Sequence, residues 1–213
     1  MATGSRTRSR ASKAEQAAAT RERIVVAATE LFLTEGFLTS TMAAIAKRAG
    51  VAVQTLYLAF GSKTAILQAT LDAALRAGGD EDIPDQDWYR SVLEDDDGPA
   101  ALRRFCIDGG RNVQRAAPLY EVVRAASSDP EVADVLASNK RLRAQGFAAV
   151  VEALAGRAGF APDLTTSDAL AILYTVFSED TFLLMVTERG WTPEQWMQWC
   201  SDTVRAQFFP AAA

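Results

Sequence analysis

The chain has 213 residues, of which 49% are hydrophobic and 23% are charged, and its net charge at pH 7 is −5. A chain of this length can bury a normal core in one large or two small domains. It contains no histidine, which excludes histidine metal sites and the Ser-His-Asp and Cys-His hydrolases. We find no apolar run of about 18 residues, so neither a transmembrane helix nor a membrane partner is predicted.

Two cysteines, Cys106 and Cys200, lie far apart in the sequence. Their number predicts buried thiols in a reduced, cytoplasmic protein rather than a disulfide framework. The first ten residues are basic but are not followed by an apolar segment, so they do not form a secretory signal. No metal and no other cofactor is predicted.

Positive charge is concentrated in the N-terminal part of the chain. Residues 1–79 contain 10 Lys and Arg against 5 Asp and Glu, a balance of +5, whereas residues 80–213 contain 12 against 22, a balance of −10. Neutralisation of DNA phosphates requires such a basic region. The alternative is a chance fluctuation along an acidic chain.

Residues 1–14 are polar and basic and lack hydrophobic periodicity, which predicts a disordered basic arm. Its basic side chains either enter a DNA minor groove or are simply solvated. They are Arg6, Arg8, Arg10 and Lys13. A first helix is predicted over roughly Glu15–Glu35, because apolar residues recur at i, i+3, i+4, i+7 and i+8 from Ile24. Gly36 ends it.

The segment Thr41–Lys63 predicts two short helices around a glycine turn. Ala46 is small enough for the helices to cross closely, and Gly50 ends the first helix where a positive φ costs least. Leu56 and Phe60, at i and i+4, form the apolar face of the second helix. This is the layout of a helix-turn-helix, which predicts binding to duplex DNA.

The second helix of this motif is the predicted recognition helix. Gln54 can pair with adenine N6 and N7, and Thr55 can reach a base or a thymine methyl group. Tyr57 and Lys63 are placed for phosphates. Thr41, at the start of the other helix, either offers its hydroxyl to a phosphate or caps the helix, and both roles are compatible. These five residues are the predicted DNA contacts.

The rest of the chain also predicts helices, so the predicted fold class is all-α. A fourth helix is predicted over Ser62–Ala77. Residues 80–99 are acidic and contain two prolines, which predicts a linker with a short helix near Trp88–Leu93. Further helices are predicted over residues 100–116, 118–127, 130–158, 166–189 and 193–209, with Pro118 separating the first two of these. The last begins with the capping sequence Thr192-Pro193-Glu194.

A ligand pocket is predicted between the C-terminal helices, where aromatic side chains are available to line it. The candidate ligand-binding residues are Trp88, Phe105, Asn112, Tyr120, Phe147, Tyr174 and Phe177. Each aromatic residue taken singly is also explained as core. Asn112 and Glu179 are polar on largely apolar helices and are candidates to orient a ligand, although exposure on a helix surface explains them equally well.

Two apolar segments near the C-terminus predict a homodimer. Leu170–Met185 is apolar nearly all round, and the final helix is rich in tryptophan and phenylalanine. Paired with their twofold mates, these helices form a four-helix interface, whereas the alternative is a core within one chain. The candidate interface residues are Phe182, Met185, Trp196, Trp199, Val204 and Phe208.

Two segments, LFLTEGF at 31–37 and TMAAIAKRAGVAVQTLYLAFGSKTAIL at 41–67, resemble the N-terminal domain of the tetracycline-repressor (TetR) family, including its AcrR-type members. The resemblance covers about residues 20–70. It implies a homodimeric transcription regulator, usually a repressor that leaves a palindromic operator when a small apolar or aromatic ligand enters the C-terminal domain. It also implies DNA contacts by the five residues named above. The expected domains are a DNA-binding domain at 15–62 and a ligand-binding and dimerisation domain at 63–213.

Two other functional classes stay open at this point. One is an all-α enzyme that uses carboxylates such as Glu179 and Asp180, and the other is a helical protein-interaction module with a vestigial helix-turn-helix. The enzyme is disfavoured by the absence of histidine, of a glycine-rich phosphate loop and of a ligand-spaced cysteine set. We therefore predict a regulator without enzymatic activity.

Overall fold

The computed structural model describes residues 4–76 and 81–211, with side chains from residue 13 onward. These residues form helices and no strand, which confirms the predicted all-α class. The N-terminal helices are α1 (Gly4–Glu35), α2 (Met42–Ala49), α3 (Val53–Phe60) and α4 (Lys63–Arg76). The helices that follow are α5 (Asp87–Glu94), α6 (Gly98–Arg104), α7 (Gly110–Ala125), α8 (Pro130–Ala155), α9 (Thr166–Val176), α10 (Glu179–Phe182) and α11 (Pro193–Phe208).

The first helix begins earlier than the sequence predicted. It starts at Gly4 rather than near Glu15, so much of the segment 1–14, predicted to be a disordered arm, is helical. Six of the eleven residues from Gly4 to Ala14 are arginine, alanine or lysine, which are strong helix formers. The side chains of residues 1–12, including Arg6, Arg8 and Arg10, lie outside the described part, and their contact with a minor groove stays a prediction.

One buried cluster holds the helices of the predicted DNA-binding domain together. Ile24 of α1, Ile45 of α2 and Leu56 of α3 are completely buried, as is Ile66 of α4. The same cluster includes residues from α7, its C-cap and α8: Leu119, Val123, Ala126 and Val132. Helix α4, which the sequence assigned to the C-terminal domain, therefore packs into the cluster of the DNA-binding helices and also contacts α7 and α8.

Helix α7 runs through Pro118, which the sequence analysis had predicted to separate two helices. That prediction was wrong. A proline inside a helix removes one backbone hydrogen bond and costs about 3 kcal/mol. Pro118 lies on the exposed side of α7, while Leu119 and Tyr120 beside it are buried, and burial of such side chains offsets a cost of this size.

The helix predicted over residues 166–189 is interrupted in the structure. Phe177 and Ser178 leave the helical conformation between α9 and α10, and Leu183–Glu188 forms a π-helical turn after α10. The Ser178 hydroxyl accepts a hydrogen bond from the Thr181 amide at 3.2 Å and so begins the new helix. Phe177, at this break, is buried in the C-terminal core.

The segment Thr166–Glu188 is long and apolar enough to cross a membrane, judged by length and composition alone. This corrects the statement that the sequence contains no such run. The break at Phe177 and Ser178 divides the segment into two short helices, and α9 packs against both α8 and α11. A spanning helix keeps its backbone hydrogen bonds continuous or re-satisfied within the bilayer, so the interruption disfavours a membrane span.

The C-terminal core encloses most of the residues predicted for a dimer interface. Trp196, Val204 and Phe208 have no exposed surface within one chain, and Phe182 is 5% exposed. The prediction was wrong for these four residues, because a side chain enclosed by its own chain has no surface left for a second subunit. Met185 and Trp199, the other two members of the set, are partly exposed.

Trp196 shows why this core closes within one chain. Its indole stacks on Phe177 with ring centroids 5.1 Å apart and donates a hydrogen bond to the Thr181 hydroxyl at 3.1 Å. Cys106 and Cys200 are free thiols buried in the same core, as predicted, and burial raises the pKa of both.

Candidate nucleic-acid interface

The turn between α2 and α3 has the geometry that a helix-turn-helix requires. The Thr41 hydroxyl caps α2 by accepting a hydrogen bond from the Ala44 amide at 3.1 Å. Gly50 ends α2 in the left-handed region at φ 67°, and the Val51 amide donates to the Ala46 carbonyl at 3.0 Å. A residue with a Cβ would be strained at this φ, so the glycine fixes the angle at which α3 leaves α2.

Helix α3 exposes one side that carries no charge. Gln54, Tyr57 and Leu58, at i, i+3 and i+4, are all exposed, with Tyr57 at 53% and Leu58 at 82%. Leu56 on the opposite side is completely buried, and Thr55 is half-buried. Of the predicted DNA contacts on α3, the structure therefore presents Gln54 and Tyr57 most fully.

Sequence reasoning missed Leu58. Its exposure is too high for a core residue, and it lies one helical turn after Gln54 on the same side of α3. An apolar side chain at such a position can contact the C5-methyl group of thymine. The signal was present in the sequence: Leu56 and Phe60 already marked the buried side, which places Leu58 on the outer one.

Lys63 has a structural role that the sequence analysis did not predict. Its ammonium group donates to the Phe37 carbonyl at 2.7 Å and to the Ser40 carbonyl at 2.9 Å. It also lies 4.1 Å from the centroid of the Phe37 ring. Burial lowers the pKa of Lys63, and the charge of Asp129 opposes this shift. Two of the three N–H donors are used within the fold, so at most one remains for a phosphate.

Arg21 of α1 fixes the far end of the recognition helix. Its guanidinium donates a hydrogen bond to the Ala59 carbonyl and lies 4.0 Å from the centroid of the Phe60 ring. On the other side of α1, Glu30 pairs with Arg48 of α2 at 2.6 Å. The orientation of the helix-turn-helix is thus set by α1 at both ends.

Residues 24–70 match the family described as bacterial regulatory proteins, tetR family. The matched segment contains the helix-turn-helix, so this part of the chain is similar to the family's N-terminal domain. NalD of Pseudomonas aeruginosa, the secondary repressor of the MexAB-OprM multidrug efflux pump, has a similar structure: the TM-score is 0.71 at 19% identity, covering 92% of this chain and 100% of that one. A transcriptional regulator of Aquifex aeolicus has a TM-score of 0.62 at 14% identity, covering 87% and 98%. No curated protein matches the sequence.

An open groove of about 420 Å³ lies between α1 and α2. It is lined by Glu22, Arg23, Val26, Ala27, Glu30, Arg48 and Ala49. This groove belongs to the DNA-binding helices and does not coincide with the ligand pocket predicted from the sequence.

Most of the aromatic residues predicted to line a pocket do come together in the C-terminal part of the chain. The Phe105 ring is central, with its centroid 5.3 Å from that of Phe147 and 5.1 Å from that of Phe177. Trp88 lies 6.4 Å from Phe105, and Tyr174 lies 6.0 Å from Phe147. We call these five residues the aromatic cluster. The rings are packed on one another, so core packing and ligand binding both remain compatible with them.

An ion pair borders the aromatic cluster. Arg143 of α8 pairs with Glu179 of α10, and their side chains are only 14% and 13% exposed. The Arg143 guanidinium lies 4.0 Å from the centroid of Tyr174. Nearby Tyr120 is buried, and burial and the charge of Asp180 raise its pKa, which the Arg143 charge opposes. Nothing in the sequence distinguished Arg143 from the exposed basic residues beside it in α8.

Asn112 is buried at 5% exposure, so its explanation as a surface residue was wrong. Its Oδ1 accepts a hydrogen bond from the Arg115 guanidinium, and Arg115 Nε donates to the Ala74 carbonyl of α4 at 2.9 Å. The Asn112 Nδ2 has no partner among the described residues. Asn112 therefore connects α7 to the end of α4 and retains an unused donor.

Two substitutions on α3 test the outer side of the recognition helix. Gln54→Ala and Leu58→Ala are each expected to reduce discrimination at one base position by about 1–3 kcal/mol, because each removes one contact to a base edge. Since both side chains are exposed, stability should change little. Binding to an operator and to its single-base variants measures the effect. An unchanged ranking of those variants would exclude the substituted residue as a reader of sequence.

Proposed function

We propose that this protein is a cytoplasmic homodimeric repressor of the tetR family that leaves a palindromic operator when a small apolar or aromatic ligand binds its C-terminal part. The observation that carries the proposal is the exposed, uncharged side of α3 within the basic N-terminal part of the chain. Two such helices, one from each protomer, would enter successive major grooves about 34 Å apart.

An incompletely covered apolar surface supports the dimer. Only 28% of the most apolar 18-residue stretch within Thr166–Glu188 is buried inside the chain. Leu184 is 41% exposed, and Met185 and Trp199 are partly exposed nearby. A contiguous surface of this kind is unusual on a soluble monomer. A second copy of the chain, related by a twofold axis, would place its own identical surface against this one, so that both surfaces are covered.

Side-chain contacts at the end of α4 support regulation by a ligand. The Trp88 indole donates to the Gln86 side chain at 2.6 Å, and Gln86 in turn donates to the Leu75 carbonyl at 3.4 Å. The pair Asn112 and Arg115 reaches the neighbouring carbonyl, that of Ala74. A ligand that separates the rings of the aromatic cluster would displace these contacts. We propose that it thereby favours a second orientation of α4 and alters the spacing of the two α3 helices.

Two ion pairs in the C-terminal part support a regulator over an enzyme. Glu179 pairs with Arg143, and Asp180 pairs with Arg124 at 2.9 Å. Both carboxylates are engaged by a guanidinium, so neither is free in this structure to exchange a proton with a substrate. We therefore propose that the protein has no enzymatic activity.

Selection from random DNA duplexes, followed by affinity measurements on the selected sequence, tests the proposal. We expect an inverted repeat, and an affinity that falls roughly 10³-fold or more between about 50 and 200 mM salt, because two domains release many counterions. A duplex with one half-site scrambled is the control and should bind much more weakly. Failure to select any sequence, or affinity independent of salt, would exclude a DNA-binding function.

A further inference from the structure

The buried ion pair at the aromatic cluster restricts the chemistry of a ligand that enters there. Arg143 places a guanidinium cation where its side chain is only 14% exposed. A charge in so enclosed a place requires an anion beside it. In the structure, Glu179 supplies that anion. A ligand must therefore either preserve this pairing or supply a replacement for one of its two members.

The guanidinium of this pair has an unused donor. Arg143 Nε is buried and has no hydrogen-bond partner among the described residues. The Glu179 Oε2 atom also lacks a hydrogen bond in the strict geometric sense, but it faces the Arg143 guanidinium as its ion-pair partner. Arg143 Nε therefore lacks a hydrogen-bond acceptor, and a ligand would supply one.

Arg143 is held more firmly than Glu179. It lies within the 26-residue helix α8, and its guanidinium is 4.0 Å from the Tyr174 centroid and 5.8 Å from that of Phe147. Glu179 begins the four-residue helix α10, directly after the break at Ser178. A ligand that replaces the Glu179 carboxylate therefore disturbs less of the packed structure than a ligand that replaces the Arg143 guanidinium.

We propose that the effector is an organic acid, with an apolar or aromatic body among the rings of the aromatic cluster and a carboxylate that replaces Glu179 on Arg143. The exchange keeps Arg143 paired and releases Glu179 to water. A cationic ligand would instead have to displace Arg143 from Tyr174 and Phe147. This inference rests on the proposed function, since it assigns a chemical class to the effector.

Three probes of one shape and different charge test the inference on the full chain. They are 2-naphthoate, the neutral 2-naphthamide and the cationic 2-naphthamidine, each titrated calorimetrically and by its effect on the thermal midpoint. We expect 2-naphthoate to bind most tightly. Glu179→Gln is expected to tighten its binding about tenfold, because the competing carboxylate has been removed and tenfold is the typical scale of one charge-assisted contact.

Arg143→Gln alone would leave a buried carboxylate unpaired and risks unfolding. The double variant Arg143→Gln with Glu179→Gln avoids this, because both groups become neutral and similar in shape. It is expected to bind 2-naphthoate about 100-fold more weakly than the native chain, with little change for 2-naphthamide. Arg124→Gln, which removes an exposed cation paired with Asp180, is the matched control and should leave 2-naphthoate binding unchanged.

The inference is overturned if 2-naphthamidine or 2-naphthamide binds as tightly as 2-naphthoate, if the double variant retains 2-naphthoate binding, or if no probe binds. These results leave the repressor function untouched, because operator affinity without any probe decides that separately. Tight, Arg143-dependent binding of 2-naphthoate in a protein that binds no operator would support the ligand class and contradict the repressor.

Discussion

Leu184→Glu is expected to convert the protein to a monomer and to weaken operator binding by at least about 100-fold. Leu184 is the most exposed large apolar residue of the π-helical turn after α10, and a buried glutamate there would face its own copy across the twofold axis. Loss of the second DNA-binding domain removes the gain from simultaneous contact with two half-sites, which is typically 10²–10⁴-fold. Sedimentation analysis and operator titration measure both effects.

Leu142→Glu is the matched control for this experiment. Leu142 is 62% exposed on α8, outside Thr166–Glu188 and α11. The substitution introduces the same charge, so it should leave the mass of the assembly and the operator affinity close to their native values. If Leu184→Glu also leaves a dimer, the surface around Thr166–Glu188 is not the interface and the dimer proposal must be relocated or abandoned.

Lys63→Ala is expected to lower the free energy of unfolding by about 1–3 kcal/mol, because the carbonyls of Phe37 and Ser40 lose their charged donor. The connection between the start of α4 and the turn before α2 would loosen, so operator affinity should fall through misplacement of α3. Chemical denaturation of the full chain measures the stability change, and operator titration below the unfolding transition measures the effect on binding.

Lys47→Ala separates this structural role from a direct contact with DNA. Lys47 is exposed in the last turn of α2, close to the recognition helix. Its removal should leave stability nearly unchanged and weaken binding to all duplexes alike, with a shallower dependence on salt. If Lys63→Ala behaves in the same way, with native stability, its ammonium acts mainly on phosphate and the structural interpretation is wrong.

The helix-turn-helix was predictable because its determinants are local. Gly50 must occupy a positive φ, Thr41 must cap the next helix, and Leu56 must point inward. Each requirement involves residues within one or two turns of one another, and each residue type has few alternative uses in such a pattern. The helical class, and the cap at Thr192 that begins α11, were predictable for the same reason.

The C-terminal assignments failed where the sequence left more than one partner open. An apolar stripe specifies that a side chain will be buried but not whether its own chain or a second copy buries it, which is why Trp196 and Val204 were misassigned. Pro118 and Ser178 show the same limitation for helix ends, because packing can outweigh a local preference in either direction. The structural role of Lys63 was missed because its carbonyl partners lie more than twenty residues away along the chain.

By itself, the sequence determined the all-α class, the position of the helix-turn-helix and the similarity of its N-terminal segment to the tetR family, because these depend on short-range periodicity, capping and turn geometry. Only the tertiary structure decided that Lys63 turns inward, that Leu58 faces outward and that Arg143 and Glu179 meet beside the aromatic cluster. Those outcomes depend on which distant elements pack together. Charges and rings brought together by packing have no fixed spacing along the chain.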